Sequence, residues 1–333
     1  MSFKLKKLPK WFNYALIVVL LHIVGVTLLL FNAGMYPQMI GFGFLAYTLG
    51  LRHAFDADHI AAIDNTVRKL VQQNEEPVGV GFFFSLGHST VVFIMAVLTA
   101  FSINWAESNI PQIKEVGSMI GTAVSGVFLI LIGILNLYLW FDIYKIFINT
   151  RMGKHDDKHL EELLSNRGLI SRLCSSLYAF INKSWHIYPL GFLFGLGFDT
   201  ASEIALLAIS AKVTAQSVPV VFVICLPVLF AAGMSLLDTA DGIFMTMAYN
   251  WAYVTPIRKT YYNLSVTGIS VVAALGIGLI ELTQTFAPNI GIFKWLQNVD
   301  MGNIGYMMVV LFVLLWGSSF IIRKILQIKT SRL

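Results

Sequence analysis

The sequence predicts an all-α integral membrane protein: eight transmembrane helices, both termini cytoplasmic, and an inverted internal repeat. Composition, run length and charge placement carry this expectation. Of 333 residues, 57% are apolar and only 12% charged, with mean hydropathy +0.74. A soluble domain has about 25% charged residues to cover its surface, so a water-exposed globule is excluded, as are disorder, collagen and coiled coil. Eight runs approach or exceed the roughly 20 mainly apolar residues that a helix needs to cross a bilayer: 13–31, 38–63, 80–103, 117–141, 186–211, 217–248, 261–286 and 302–326. They are too long and too little alternating for the strands of an outer-membrane barrel. Sorting the 23 basic residues with odd spans running outward puts 19 on the inner side and three outside, a strong positive-inside signal.

Span 1 follows Lys4, Lys6, Lys7 and Lys10, as a signal peptide would. No convincing small-residue cleavage site follows Phe31-Asn32-Ala33-Gly34, and seven spans come after it, so it reads as a membrane helix. Arg68 and Lys69 after span 2 are assigned to an inner loop, as are seven basic residues between spans 4 and 5, Arg258 and Lys259 after span 6, and four at the C-terminus. Lys114, Lys212 and Lys294 fall outside, and Arg52 lies within span 2. The long inner loop 142–185 separates two four-helix halves of a single polytopic domain, 1–333. Its His155 and His159 are four apart and could share a metal on a helix, but the surrounding charges read as a solvated turn leading into an amphipathic stretch, 163–181. Cys174 and Cys225 form no disulfide framework or metal pair, and nothing suggests nucleic acid.

Each ionisable side chain at a helix centre costs at least ~2.5–3.5 kcal/mol in a bilayer, so each marks a functional position by default. They concentrate in four spans. Span 2 carries Arg52, His53, Asp56, Asp58, His59 and Asp64; span 3 carries His88 among Ser85, Ser89 and Thr90; span 5 carries Asp199 and Glu203; span 6 carries Asp238 and Asp241. Spans 5 and 6 offer four acids and no base, and a lattice of helix-locking ion pairs cannot balance them. Buried negative charge in excess needs protons or a cation. Imidazole with carboxylate suits a borderline divalent transition metal, whereas carboxylate alone suits magnesium or calcium, and clustered Cys or Met suits copper(I). Nickel, cobalt, zinc, iron and manganese all remain open. In a straight helix His53, Asp56 and His59 share a stripe and Asp58 points away. Either the helix unwinds after Gly50, or Asp58 serves another partner, such as a metal-bound imidazole. His22 in span 1 reads as a core histidine with its hydrogen bonds satisfied. Gly117/Gly121 and Gly191/Gly195 read as close helix packing.

The run Arg-His-Ala-Phe-Asp-Ala-Asp-His-Ile (52–60) resembles the hallmark of the nickel/cobalt transporter (NiCoT) family of single-component permeases. The runs 84–93 (Phe-Ser-Leu-Gly-His-Ser-Thr-Val-Val-Phe), 196–203 (Leu-Gly-Phe-Asp-Thr-Ala-Ser-Glu) and 233–241 (Gly-Met-Ser-Leu-Leu-Asp-Thr-Ala-Asp) resemble its other signatures in the expected order. The resemblance implies high-affinity uptake of nickel(II) and/or cobalt(II) across the cytoplasmic membrane. It places metal binding on His53, Asp58 and His59, with His88 and the acids of spans 5 and 6 in support, and makes His22 the candidate for nickel-versus-cobalt choice.

No G-x-x-x-x-G-K-[ST] loop occurs, so no ATP hydrolysis and no ATPase subunit are expected, and no cofactor. The partners expected are a divalent transition-metal ion and the lipid bilayer. Spans 2–3 and 5–6 are alike in outline and offset by an odd number of spans, the pattern of an inverted transporter repeat. Two alternatives stand. A passive divalent-metal channel would use the same residues. An intramembrane aspartyl protease would use Asp199 and Asp238, but Phe198 interrupts its usual Gly-x-Gly-Asp run; H-E-x-x-H is absent too, and no enzyme is expected. Helix directions place all four clusters between the mid-plane and the inner leaflet. One site there requires His53 and His88 to lie within roughly 15 Å of each other, given metal–nitrogen bonds near 2 Å.

Overall fold

A computed structural model describes residues 9–101, 103–151, 181–197, 201–216, 218–253, 256–287, 295–297, 299 and 301–330. Regular structure among these is all helical. The helices are α1 (Phe12–Met35), α2 (Met39–His53), α3 (Ala57–Gln72), α4 (Val80–Phe101) and α5 (Ile103–Arg151). After a short 3-10 turn, Ser184–Ile187, come α6 (Tyr188–Gly195), α7 (Ala201–Ala215), α8 (Val220–Val223), α9 (Cys225–Tyr253), α10 (Pro256–Phe286) and α11 (Met301–Thr330).

Five helices are long and apolar enough to cross a membrane: Phe12–Met35, Val80–Phe101, Glu115–Phe141, Val220–Asn250 and Leu264–Phe286. They correspond to expected spans 1, 3, 4, 6 and 7. Within expected span 8 the described apolar stretch is the shorter Met301–Leu314. Expected spans 2 and 5 are not continuous helices. Span 2 is α2 and α3, and span 5 is α6 and α7.

The break in span 2 has a local cause. Helix α2 ends on Arg52 and His53, and α3 begins on Asp56 and Asp58. Cations belong at a helix C-terminus and anions at an N-terminus, so the order basic, basic, acid, acid ends one helix and starts another. Asp56 takes an extended backbone (φ −65°, ψ 141°) at the N-cap of α3. The stripe expected for a straight helix therefore does not exist. A second correction follows at the other end. Helix α3 runs on to Gln72, so Arg68 and Lys69 are helical and buried, 0% and 4% exposed, and not loop residues. Asn74 in the left-handed region (φ 58°) turns the chain out, with Glu75 N–H donating to the Leu70 carbonyl at 2.9 Å.

The chain divides into two compact units. The first comprises Met1–Ala54, Glu76–Thr122 and Lys183–Phe244; the second comprises Phe55–Glu75, Ala123–Asn182 and Met245–Leu333. In the first, two helix crossings share one contact pattern. A Cβ on Gly50 of α2 would fall on the Phe230 carbonyl of α9, and one on Gly233 would fall on the Tyr47 carbonyl. In the same way Gly191 of α6 meets the Phe84 carbonyl of α4, and Gly87 meets the Tyr188 carbonyl. Each time a Tyr-x-x-Gly turn packs on a Phe-x-x-Gly turn with no room for a side chain. The ring pairs repeat as well, His53–Phe230 at 5.7 Å and Phe194–Phe84 at 5.2 Å. The glycine spacing expected at 191/195 to mark close packing does so; Gly121, likewise, lies against the Gly197 backbone.

In the second unit α3 is buried along nearly its whole length. Asn136 of α5 donates to the Asn65 side chain, and Gly305 of α11 lies against the Phe55 carbonyl. Glu281 of α10 is buried and accepts a hydrogen bond from Ser125 of α5 at 2.7 Å.

Candidate metal site

Three of the expected residues meet in the first unit. His53 is the last residue of α2, His88 lies on α4 beside Gly87, and Glu203 sits in the first turn of α7. They are 1%, 3% and 1% exposed. Each is placed by a local feature. His53 stands where α2 breaks. His88 follows the glycine that lets α4 close on the Tyr188 carbonyl. Glu203 is the first acid of the helix that resumes after the break in span 5, where the dipole favours it.

Nε2 of His53 lies 2.8 Å from Nε2 of His88, which lies 2.9 Å from Oε1 of Glu203; the third side, His53 Nε2 to Glu203 Oε1, is 4.0 Å. The His53–His88 separation lies far inside the roughly 15 Å limit that one shared ion requires. A neutral imidazole nitrogen carries either one proton or one lone pair. His88 Nε2 faces two donor atoms at once, so no single proton placed there satisfies both head-on. Three lone pairs aimed at one region are what a cation satisfies.

The triangle specifies the cation's geometry. Sides of 2.8, 2.9 and 4.0 Å make an angle of about 90° at His88, so the midpoint of the long side lies about 2.0 Å from all three atoms, the length of a metal–nitrogen or metal–oxygen bond. Two adjacent donors and one opposite donor form three corners of a square. A tetrahedral ion would hold every pair about 3.3 Å apart at such bond lengths. Square-planar or tetragonal N,O coordination is the preference of nickel(II) and copper(II).

The other expected residues lie elsewhere. Asp238 is buried and Asp241 half-buried, one turn apart on α9, with Asp238 in the first unit beside Gly81 of α4, whose Cβ would fall on its carbonyl. Asp56, Asp58 and His59 lie in the second unit, at the start of α3; Asp56 and His59 are buried, Asp58 half-buried. Asp199 lies outside the described residues, as do His155 and His159. His22 on α1 has both ring nitrogens engaged, Nδ1 with the Val18 carbonyl at 2.8 Å and Nε2 with the Tyr47 hydroxyl at 3.3 Å. It is a satisfied core histidine.

Sequence reasoning missed the buried cluster around Arg68. Its guanidinium donates to the Tyr249 hydroxyl and the Ser270 hydroxyl, and at 3.4 Å to Asp64 Oδ2 and the Val266 carbonyl. The available signal was the Asp64/Arg68 spacing of four, an ion pair on one helix face.

Comparison with known proteins gives one family. The family model described as "High-affinity nickel-transport protein" (NicO) matches residues 39–322. The chain is 50% identical to the nickel transporter NixA of Staphylococcus aureus over 94% of each chain. It is 47% identical to the nickel transporter NicT of Mycobacterium tuberculosis, over 94% of this chain and 89% of that one. It is 39% identical to the cobalt transport protein NhlF of Rhodococcus rhodochrous, over 91% of this chain and 89% of that one. No solved structure matches.

Proposed function

Because this chain belongs to the high-affinity nickel-transport (NicO) family, we propose that it takes up nickel(II), with cobalt(II) as a second substrate, across the cell membrane. It is a multi-pass permease and not an enzyme. The observation that carries the reading is the right-angled triangle of His53, His88 and Glu203. It matches the square preference of nickel(II) better than the tetrahedral preference of zinc.

Asp56, Asp58 and His59 follow His53 across the break and supply the remaining ligands, or hold the ligating imidazoles by hydrogen bonds. Asp199, Asp238 and Asp241 neutralise the ion's charge and line its inner exit, and His22 with Tyr47 tunes the choice between nickel and cobalt. The chain crosses the membrane eight times with both termini cytoplasmic, and spans 2 and 5 are the discontinuous helices typical of transporter sites between inverted repeats. The paired Tyr-x-x-Gly/Phe-x-x-Gly crossings support that repeat.

Uptake of radiolabelled nickel by proteoliposomes containing the purified protein tests both levels. His53→Ala and His88→Ala should abolish uptake with the protein still in the bilayer, and excess zinc should compete weakly. Near-normal uptake by His88→Ala would remove the site. No nickel uptake by the unmodified protein would remove the function.

A further inference from the structure

Helix α3 carries Asp58 and His59 in its first turn, yet nothing at that end holds it to α2. Ala54 N–H closes the last α2 bond to the Gly50 carbonyl, and the α3 ladder restarts with Ile60 N–H on the Asp56 carbonyl. A half-helix begun in extended backbone can rotate and slide. Its placement has to come from farther along.

The grip lies 9 residues past His59, about 13–14 Å along the axis. Arg68 is the largest fully buried side chain in the described residues. It reaches Tyr249 of α9 and Ser270 of α10, and its guanidinium lies over the Tyr249 ring, 4.8 Å from the centroid. The Tyr249 hydroxyl donates in turn to Asp64 Oδ1, one helical turn before Arg68. Asp64 balances the Arg68 charge on α3 itself, so neutrality does not require the other two groups. What Tyr249 and Ser270 add is direction, because each hydrogen bond fixes both the rotation and the depth of α3 against a neighbouring helix.

Packing alone gives no reason for such a cluster. Well-packed apolar groups of similar volume are often as stable as a buried ion pair, or more so. A set of four polar groups, bonded to one another across three helices, selects one orientation of α3.

We propose that Arg68, with Asp64, Tyr249 and Ser270, is a positioning cluster that sets the rotation and depth of α3 and thereby the nickel affinity contributed by Asp58 and His59. The inference rests on the nickel-binding role of those two residues given above. None of the four touches the ion; they act through the helix, as a rigid lever anchored at its far end.

Equilibrium nickel binding to the full-length protein in detergent tests the lever. Tyr249→Phe keeps the ring and removes only the hydroxyl that joins Asp64 to Arg68. It should weaken nickel binding about tenfold or more, the usual effect of losing a group that orients metal ligands. In a His59→Ala background the same change should cost less than about twofold, because coupled residues are non-additive. The visible spectrum of bound cobalt(II) should also move toward that of His59→Ala. A merely structural hydroxyl would lower the melting temperature and leave the coupling and the spectrum unchanged. Should Tyr249→Phe fail to reach the membrane, Ser270→Ala is read by the same two measurements. Unchanged affinity in both variants would overturn the lever, and so would an equal loss with and without His59. If His53→Ala and His88→Ala abolish binding while Tyr249→Phe leaves it unchanged, the lever alone fails. If the unmodified protein binds no nickel, the metal site fails with it.

Discussion

At His88 one nitrogen faces an imidazole nitrogen at 2.8 Å and a carboxylate oxygen at 2.9 Å, and competition between protons and metal follows directly. An imidazole binds a metal only through a free lone pair, so each proton taken up at His53 or His88 removes a ligand. The ordinary imidazole range lies near 6.5. Nickel affinity should therefore be full above that range and weaken as pH falls through it. Binding that was flat between about pH 5.5 and 7.5 would rule out ligation by the histidines. Glu203 plays a different part, since it brings both a donor atom and a negative charge. Glu203→Gln keeps the shape and a weaker oxygen donor but loses the charge, and should cost about 10–100-fold in affinity at pH 7.5, read by equilibrium nickel binding. An unaffected Glu203→Gln would mean that the carboxylate only orients His88.

Among the elements, the breaks and crossings matter more than the helices themselves. Long apolar runs made α1, α4 and the spanning parts of α5, α9 and α10 legible in the sequence. The break in span 2 was legible only as a conflict, because a straight helix pointed Asp58 away from its neighbours. The order Arg52, His53, Asp56, Asp58 held the answer, read as one helix end and one helix start. Arg68 and Lys69 were misread as a loop because basic residues after an apolar run usually mark its exit from the membrane. Their burial depends on Tyr249 and Ser270, about 180 and 200 positions away, which no local pattern reveals. His53, His88 and Glu203 were legible as kinds of residue; their right angle was not, because it needs three helices in register. The crossings can be tested through their glycines. Gly50→Ala and Gly191→Ala each push a Cβ onto a carbonyl oxygen at matching places. Each should destabilise by about 1–3 kcal/mol as overpacking does, seen as a lower melting temperature in detergent. Gly41→Ala on the same α2 meets nothing within 4 Å and should be neutral or stabilising by up to ~1 kcal/mol. If all three behaved alike, the crossings would not be tight.

For the molecule as a whole the question is what drives accumulation. The sequence has no phosphate-binding loop, so the work has to come from gradients across the membrane. A divalent ion moving inward gains about 2.3 kcal/mol per charge per 100 mV, enough for roughly a thousandfold accumulation or more. The carboxylates that offset the ion's charge at the site also make a proton gradient a competing source, and the two separate cleanly in vesicles. With pH equal on both sides, an inside-negative potassium diffusion potential should accelerate nickel uptake, and collapsing the potential should abolish accumulation above equilibrium. Uptake indifferent to potential but responsive to a pH gradient would assign the work to protons instead. The same vesicles distinguish a carrier from a channel. A carrier rebinds its ion on each return, so preloaded unlabelled nickel should stimulate entry of labelled nickel. A channel holds no such memory, and loss of the stimulation would show that the three donors line a pore and are not carried between two faces.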